Sequence, residues 1–375
     1  MSPQSGDRTR WPAGRATLGK LVALAMLAPF AAIGLVKGAA AYVKPSAADI
    51  EAEAIEIAAR PITSFSRVTS DTRFGKLEFR GGLVLTSSSR NFGGWSGLLL
   101  DDAGRNLVAV SDAGAWMTAR IGYDSLRRPI AIENARLGSL KALSSKSLRK
   151  NRDRDAEALA LESGSVDKGQ ILVAFEGNHR IGRYRVDGAG LSKPLGYLTM
   201  PSELKGSRKR DGLEALTVVR GGRVKGALVA IAESYKDSSG NHTGWIWPAI
   251  GGTPQRFHLA DLGEFNITDA ASLDNGDLIV LERRFRWLEG VKMRIRRIAA
   301  GELRPGAKIT GEVLLEADMS YEIDNMEGLA VHTDEKGRMV LTVVSDDNFN
   351  SLLQRTLLLQ FTLPSDTPGE ARAAR

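Results

Sequence analysis

Five copies of one short motif recur along the chain, an acidic or hydroxyl residue, then Ala or Gly, then usually Leu. They are Ser96-Gly97-Leu98, Glu157-Ala158-Leu159, Glu214-Ala215-Leu216, Asp269-Ala270-Ala271 and Glu327-Gly328-Leu329. Successive copies start 61, 57, 55 and 58 residues apart, so one supersecondary unit is repeated and the fold is built by setting copies side by side. Each motif opens an apolar run. A turn-forming stretch follows, as in residues 101–104 (DDAG), 274–276 (DNG) and 334–337 (DEKG), and then a second aliphatic run. The second runs cover residues 107–112 (LVAVSD), 171–176 (ILVAFE), 227–233 (ALVAIAE), 278–282 (LIVLE) and 340–346 (VLTVVSD), too short and too β-branched for helices. Each unit therefore begins with a hairpin of buried strands.

More polar, amphipathic pairs of segments follow the hairpins, for example 180–186 with 195–200 and 293–298 with 312–316. Four strands per unit at this period predict an all-β chain, a β-propeller of five four-stranded blades, or six if residues 62–74 form a further one. An open β-solenoid is the alternative. The propeller is favoured because residues 357–363 (LLLQFTL) end the chain one strand short of a full unit, while residues 77–86 (LEFRGGLVLT) supply a strand before the first. Pairing of these N- and C-terminal strands would close the ring and remove both exposed edges.

The N-terminus reads differently. Arg8, Arg10, Arg15 and Lys20 precede an apolar stretch at residues 21–36, followed by Ala39-Ala40-Ala41, the parts of an export signal cleaved after Ala41. The alternative is a retained membrane anchor through residues 21–36. The expected organisation is a signal peptide or anchor at 1–41, a linker at 42–61, the propeller at 62–364 and a disordered tail at 365–375. The expected location is periplasmic or secreted, or tethered to the inner membrane facing the periplasm, and the expected state is a monomer. The chain has no cysteine, which excludes thiolate metal sites and cysteine nucleophiles without arguing against export of so large a domain. Residues 1–41 hold five of the Lys/Arg and one Asp, so without them the net charge falls from +7 to +3, no case for a nucleic-acid partner.

Antiparallel pairing puts the start of a hairpin's first strand beside the end of its second. Glu157 is thus expected near Glu176, Glu214 near Glu233, Asp269 near Glu282, Glu327 near Asp346 and Asp347, and Ser96 near Asp112, all at one mouth of the channel. Such crowding of carboxylates needs neutralising charge. A hard cation such as Ca²⁺, with six to eight oxygen ligands, suits Asp112, Glu157, Glu176, Glu214, Glu233, Asp269, Glu282, Glu327 and Asp346, with Asn178 or Asn348 beside them. Zinc is disfavoured because His179, His242, His258 and His332 show no ligand spacing. Arginine and lysine are the other source of charge: Arg180, Arg283 and Arg284 follow the strand ends, and basic loops at 146–154 and 205–210 lead into first strands. Arg180, Arg283, Lys209 and Arg210 are the candidates for binding a small anionic ester, and Glu157, Glu214 and Glu327 the candidates for catalysis. The alternative use of such acids is to tie neighbouring blades through backbone amides and Arg pairs. Residues 94–98 (GWSGL) lack the second Gly of a serine-hydrolase elbow, and no phosphate-loop or dinucleotide fingerprint occurs.

At WSGL (95–98), SDAG (111–114), DAEALAL (155–161), FEGNHRI (175–181), DGLEAL (211–216), LERRF (281–285) and NMEGLAV (325–331) the chain resembles the phytase-like family termed "esterase-like activity of phytase". The resemblance runs from about Gly81 to Leu363. It implies a β-propeller, hydrolysis of phosphate or carboxylic esters and, by similarity to the propeller phytases, Ca²⁺ as the metal. The expectation is an exported, Ca²⁺-dependent ester hydrolase; the alternative is a non-catalytic propeller presenting its charged rim to an envelope ligand or protein partner.

Overall fold

The computed structural model describes residues 50–204 and 212–364. Residues 1–41, Lys209, Arg210 and the tail at 365–375 lie outside the described residues. Five sheets, antiparallel but for one short parallel pairing at the edge of the third, form the five blades of a β-propeller. Their innermost strands are Trp95–Leu100, Ala156–Gly164, Leu213–Val218, Asn266–Ser272 and Asn325–Thr333, which are the five motif-bearing runs. Each touches the next, and the fifth touches the first, so they line a central channel. The second strands are Asn106–Ser111, Gly169–Phe175, Leu228–Lys236, Leu278–Arg286 and Met339–Asp346.

Cohesion comes from between the blades. Five apolar cores fill the five seams: Trp116 and Phe175 lie between blades one and two, Trp245 and Trp247 between two and three, Phe257 and Ile298 between three and four. The last two seams hold Met293 with Phe361 and Leu83 with Met117. Trp245 and Trp247 lie on the third strand of blade three and are buried, the indole of Trp247 donating to Thr199 O at 3.1 Å. They are core residues with no exposed ring face.

Blade five draws on both ends of the chain. Leu77–Thr86 pairs antiparallel with Thr356–Leu363, Leu83 lying opposite Leu358. The segment at 42–61, read from sequence as a linker, contributes strands instead: Ala58–Ile62 pairs outside Leu77–Thr86, and Glu53–Ala54 pairs with the outer strand of blade one. Its alternating apolar residues are few, so the edge position was invisible in the pattern. Residues 62–74 make no sixth blade among the described residues; Arg73–Phe74 only extends the fifth sheet. A chain ending at Ser351 lacks the strand that lies between Leu77–Thr86 and Met339–Asp346. It is expected to lose solubility and its sharp calorimetric transition, because two apolar strand edges are uncovered at once. A truncated chain melting sharply at the full-length temperature would contradict that role for the strand.

Candidate functional site

The repeated acid is held by a repeated irregularity. In every blade the inner strand carries one extra residue against its partner, and that residue is Ser96, Glu157, Glu214, Thr268 or Glu327. A bulge turns its side chain out of the regular alternation, here at the same edge of all five blades. The next residue is Gly97, Ala158, Ala215, Asp269 or Gly328, where neighbouring inner strands come closest. A Cβ on Gly97 would sit 3.2 Å from the Ala158 backbone, and one on Gly328 3.2 Å from Leu98 Cβ. The motif thus encodes a polar bulge, a small residue for close approach, and an apolar residue for the core.

This register corrects the sequence reading in blade four. Asp269 stands at the small-residue position, not at the bulge. Its carboxylate accepts the amides of Ala270 at 2.8 Å and Leu329 at 2.7 Å, with a further backbone bond from Leu216, so it laces blade four to both neighbours. On the second strands the rim positions are Asp112, Glu176, Glu233, Arg283 and Asp346; Glu282 lies one residue short. Glu282 points to the other side of the sheet, 0% exposed, and pairs with Arg296 and with Arg294, the latter at 3.7 Å. Neither Asp269 nor Glu282 is part of a three-carboxylate group among the described residues. Blade four instead offers Thr268 and Arg283 where the others offer carboxylates.

The remaining acids converge. Oxygens of Asp155, Glu157 and Glu176 lie within 4.8 Å of one another, and so do oxygens of Glu176, Glu214 and Glu233. Glu176 belongs to both groups. Asp155 was not singled out from the sequence because it precedes the repeated motif; only its clustering reveals it. Among the described residues no hydrogen bond or ion pair caps the carboxylates of Glu157 or Glu214. Glu233 accepts from Asn266 Nδ2 at 3.0 Å, and Asp346 from the Asn348 amide at 2.6 Å. Arg283 faces this cluster, with Nε 3.2 Å from Glu327 and Nη2 3.8 Å from Glu233. It sets a cation against these carboxylates.

Two other candidate groups are engaged elsewhere. Arg180 lies on the third strand of blade two; it donates to Asn178 O at 3.0 Å and to Asp153 O, and stacks 3.8 Å over the Phe175 ring, tying down the 150–154 loop. Asn178 is held by Asp153 at 3.0 Å. Arg154, in the same loop, was not singled out from the sequence. It is buried, and its Nε has no hydrogen-bond partner among the described residues.

The electrostatics follow from the crowding. Burial, and then the charges of Asp155, Asp112, Glu176 and Glu327, push Glu157 well above the usual carboxylate range. Burial and the neighbouring Glu157 and Glu233 do the same to Glu214. Burial raises Glu327 from 4.5 to about 7 even though Arg283 opposes the shift. Without a cation the folded protein therefore binds protons that the unfolded chain has released between pH 4.5 and about 7. The stability that Glu327 contributes is present below the lower value and lost as pH rises through the upper one, about 3 kcal/mol for this group alone. Cation-free protein is expected to melt at falling temperature from pH 5 to pH 8, with Ca²⁺ reversing the loss, since a bound cation takes the place of the protons. Differential scanning calorimetry across that range checks it; a flat or rising profile would contradict it.

The other end of the channel is chemically plain. A cavity of about 280 Å³ is lined there by residues such as Leu99, Leu161, Ala271 and Val331, with Arg220 at its edge bonded to Asp102 and Asp274 at 2.7 and 3.0 Å. Both three-carboxylate groups lie at the opposite mouth, and the aspartates at this end are engaged by Arg220.

Residues 90–349 match the family described as "Phytase-like: Esterase-like activity of phytase". The chain belongs to this phytase-like family. The match covers all five motif copies and both carboxylate groups, so the site is a feature of the family's own part of the chain. No curated protein matches significantly. Among solved structures, the PQQ-bound form of aldose sugar dehydrogenase (Adh) from Streptomyces coelicolor is 13% identical over 75% of this chain and 97% of that one, with a TM-score of 0.39. The WD40 domain of Toxoplasma gondii coronin is 9% identical over 85% of this chain and 90% of that one, with a TM-score of 0.38. Neither bears on the chemistry.

Proposed function

We propose that this phytase-like propeller is an exported, Ca²⁺-dependent hydrolase of small anionic esters, phosphate esters first. The observation that carries the reading is the pair of three-carboxylate groups sharing Glu176, opposite Arg283 at one channel mouth. Asp155, Glu157, Glu176, Glu214 and Glu233 would hold the cation, and oxygen-only donors fit a hard ion better than zinc. When bound, such an ion polarises an ester oxygen and draws the substrate's charge to the site. Arg283 holds an anionic oxygen of the substrate through charge-assisted bonds while keeping Glu327 ordered. Glu327, held by Arg283 beside the cluster, is the carboxyl assigned to passing a proton. Arg154, buried beside Asp155 and with its Nε unpartnered among the described residues, would serve as a second anion-binding group.

The test is hydrolysis of p-nitrophenyl phosphate and p-nitrophenyl acetate by purified protein, with Ca²⁺ or with chelator. Turnover of the phosphate ester that disappears on chelation is expected. Failure on both esters, or turnover indifferent to chelator, would overturn the reading and favour a non-catalytic binding propeller.

A further inference from the structure

The face that carries the carboxylates also carries the two most exposed large apolar side chains among the described residues, Leu288 and Leu352. In blade four the hairpin of Leu278–Arg286 and Gly290–Ile298 runs on past the rim, since residues 284–286 and 290–292 pair with each other beyond the inner strand. Its tip exposes Phe285, Trp287 and Leu288, the last at 94%. In blade five the corresponding loop exposes Leu352 and Leu353, the former at 93%. Between them lies Met319, 43% exposed, close enough to the hairpin that a Cβ on Gly290 would come within 3.0 Å of its Cγ. Arg355 joins the blade-five loop to the same segment through Glu322 at 2.6 Å. The equivalent loop of blade three, at 237–241, is Asp-Ser-Ser-Gly-Asn. The apolar tips are therefore a local feature of two adjacent blades.

Charge does not single out an acidic or basic partner here. Arg284, Arg286 and Lys292 are already paired with Glu289 and Glu264, and Arg67 with Glu322. What remains is a cluster of aromatic and leucine tips on protruding loops whose basic neighbours are engaged in ion pairs, the composition that partitions into a bilayer interface. A second observation points the same way. The chain leaves the described structure on this face: the Ile50 amide donates to Ser139 Oγ at 2.7 Å, where Ser139 ends the outer strand of blade one opposite Ala115. With residues 21–36 retained as an anchor, only 13 residues separate that apolar stretch from Ile50, a reach of about 45 Å when fully extended.

We propose that the carboxylate-bearing face docks on a lipid bilayer, the tips at 285–288 and 352–353 entering the interface so that the channel mouth opens toward membrane-associated ligands. The occupant is the lipid itself, engaged by insertion and not by headgroup charge.

The full chain is mixed with phosphatidylcholine vesicles and its backbone hydrogen exchange followed. Exchange at 285–289 and 350–354 is expected to slow about tenfold on binding, while the 237–241 loop is unchanged. A Leu288→Asp, Leu353→Asp double variant, altered only at exposed positions, should melt as the wild type does yet lose this protection, even if residues 21–36 still hold it on the vesicle. The proposal is overturned if wild type fails to bind vesicles, if bound protein exchanges at both tips as fast as free protein, or if the tips are protected only by another protein. None of these outcomes depends on ester hydrolysis.

Discussion

Glu176→Gln is expected to abolish Ca²⁺-dependent turnover, by at least about a hundredfold, because one substitution removes an oxygen donor from both carboxylate groups. Loss of an anionic ligand lowers the attraction for a hard cation and leaves an amide whose NH₂ points donors at neighbouring carboxylates. The fold should survive: Glu176 lies just past the end of its strand at the rim, and removing one charge from a crowded cluster relieves repulsion. Steady-state kinetics with a melting curve separate the two effects. Near wild-type turnover in Glu176→Gln would sink the shared role assigned to this carboxylate.

The second large effect concerns stability. Glu282→Ala is expected to cost about 3–5 kcal/mol, because it strands the buried Arg296 guanidinium without its carboxylate. Arg296 would keep only its bonds to Ala260 O and Thr310 O, both at 2.8 Å, and Arg294 its partner Glu316 at 2.9 Å. Denaturant unfolding measures the loss. A cost near zero would show that the seam repacks around the arginine, and a loss of Ca²⁺ affinity at unchanged stability would return Glu282 to the rim.

The contrast between these two glutamates shows where the sequence is legible. Both follow an aliphatic run in the sequence, and composition does not separate them. The repeat, the hairpins and the convergence of acids at one mouth can all be read, because aliphatic runs and turn residues recur at a fixed period. Register cannot. Asp-Ala-Ala in blade four resembles Glu-Ala-Leu elsewhere, yet the bulge falls on Thr268, and one residue of offset carries a side chain to the opposite face. That single slip exchanges Asp269 and Glu282 for Thr268 and Arg283. Arg180 and Arg283 look alike in sequence, each close behind a strand-end acid. The turn at Gly177, with φ of 60°, puts Arg180 on the third strand of its blade, whereas Leu278–Arg286 continues and delivers Arg283 to the rim. Asp155 stands outside the repeat, so only the folded geometry brings it to Glu157 and Glu176.

Calorimetric titration of Ca²⁺ at pH 8 into wild type, Glu176→Gln and Glu282→Gln tests the cation site most directly. The geometry predicts saturable binding in wild type, its loss in Glu176→Gln and its retention in whatever fraction of Glu282→Gln stays folded. Absence of binding in wild type, or equal affinity in wild type and Glu176→Gln, would contradict it.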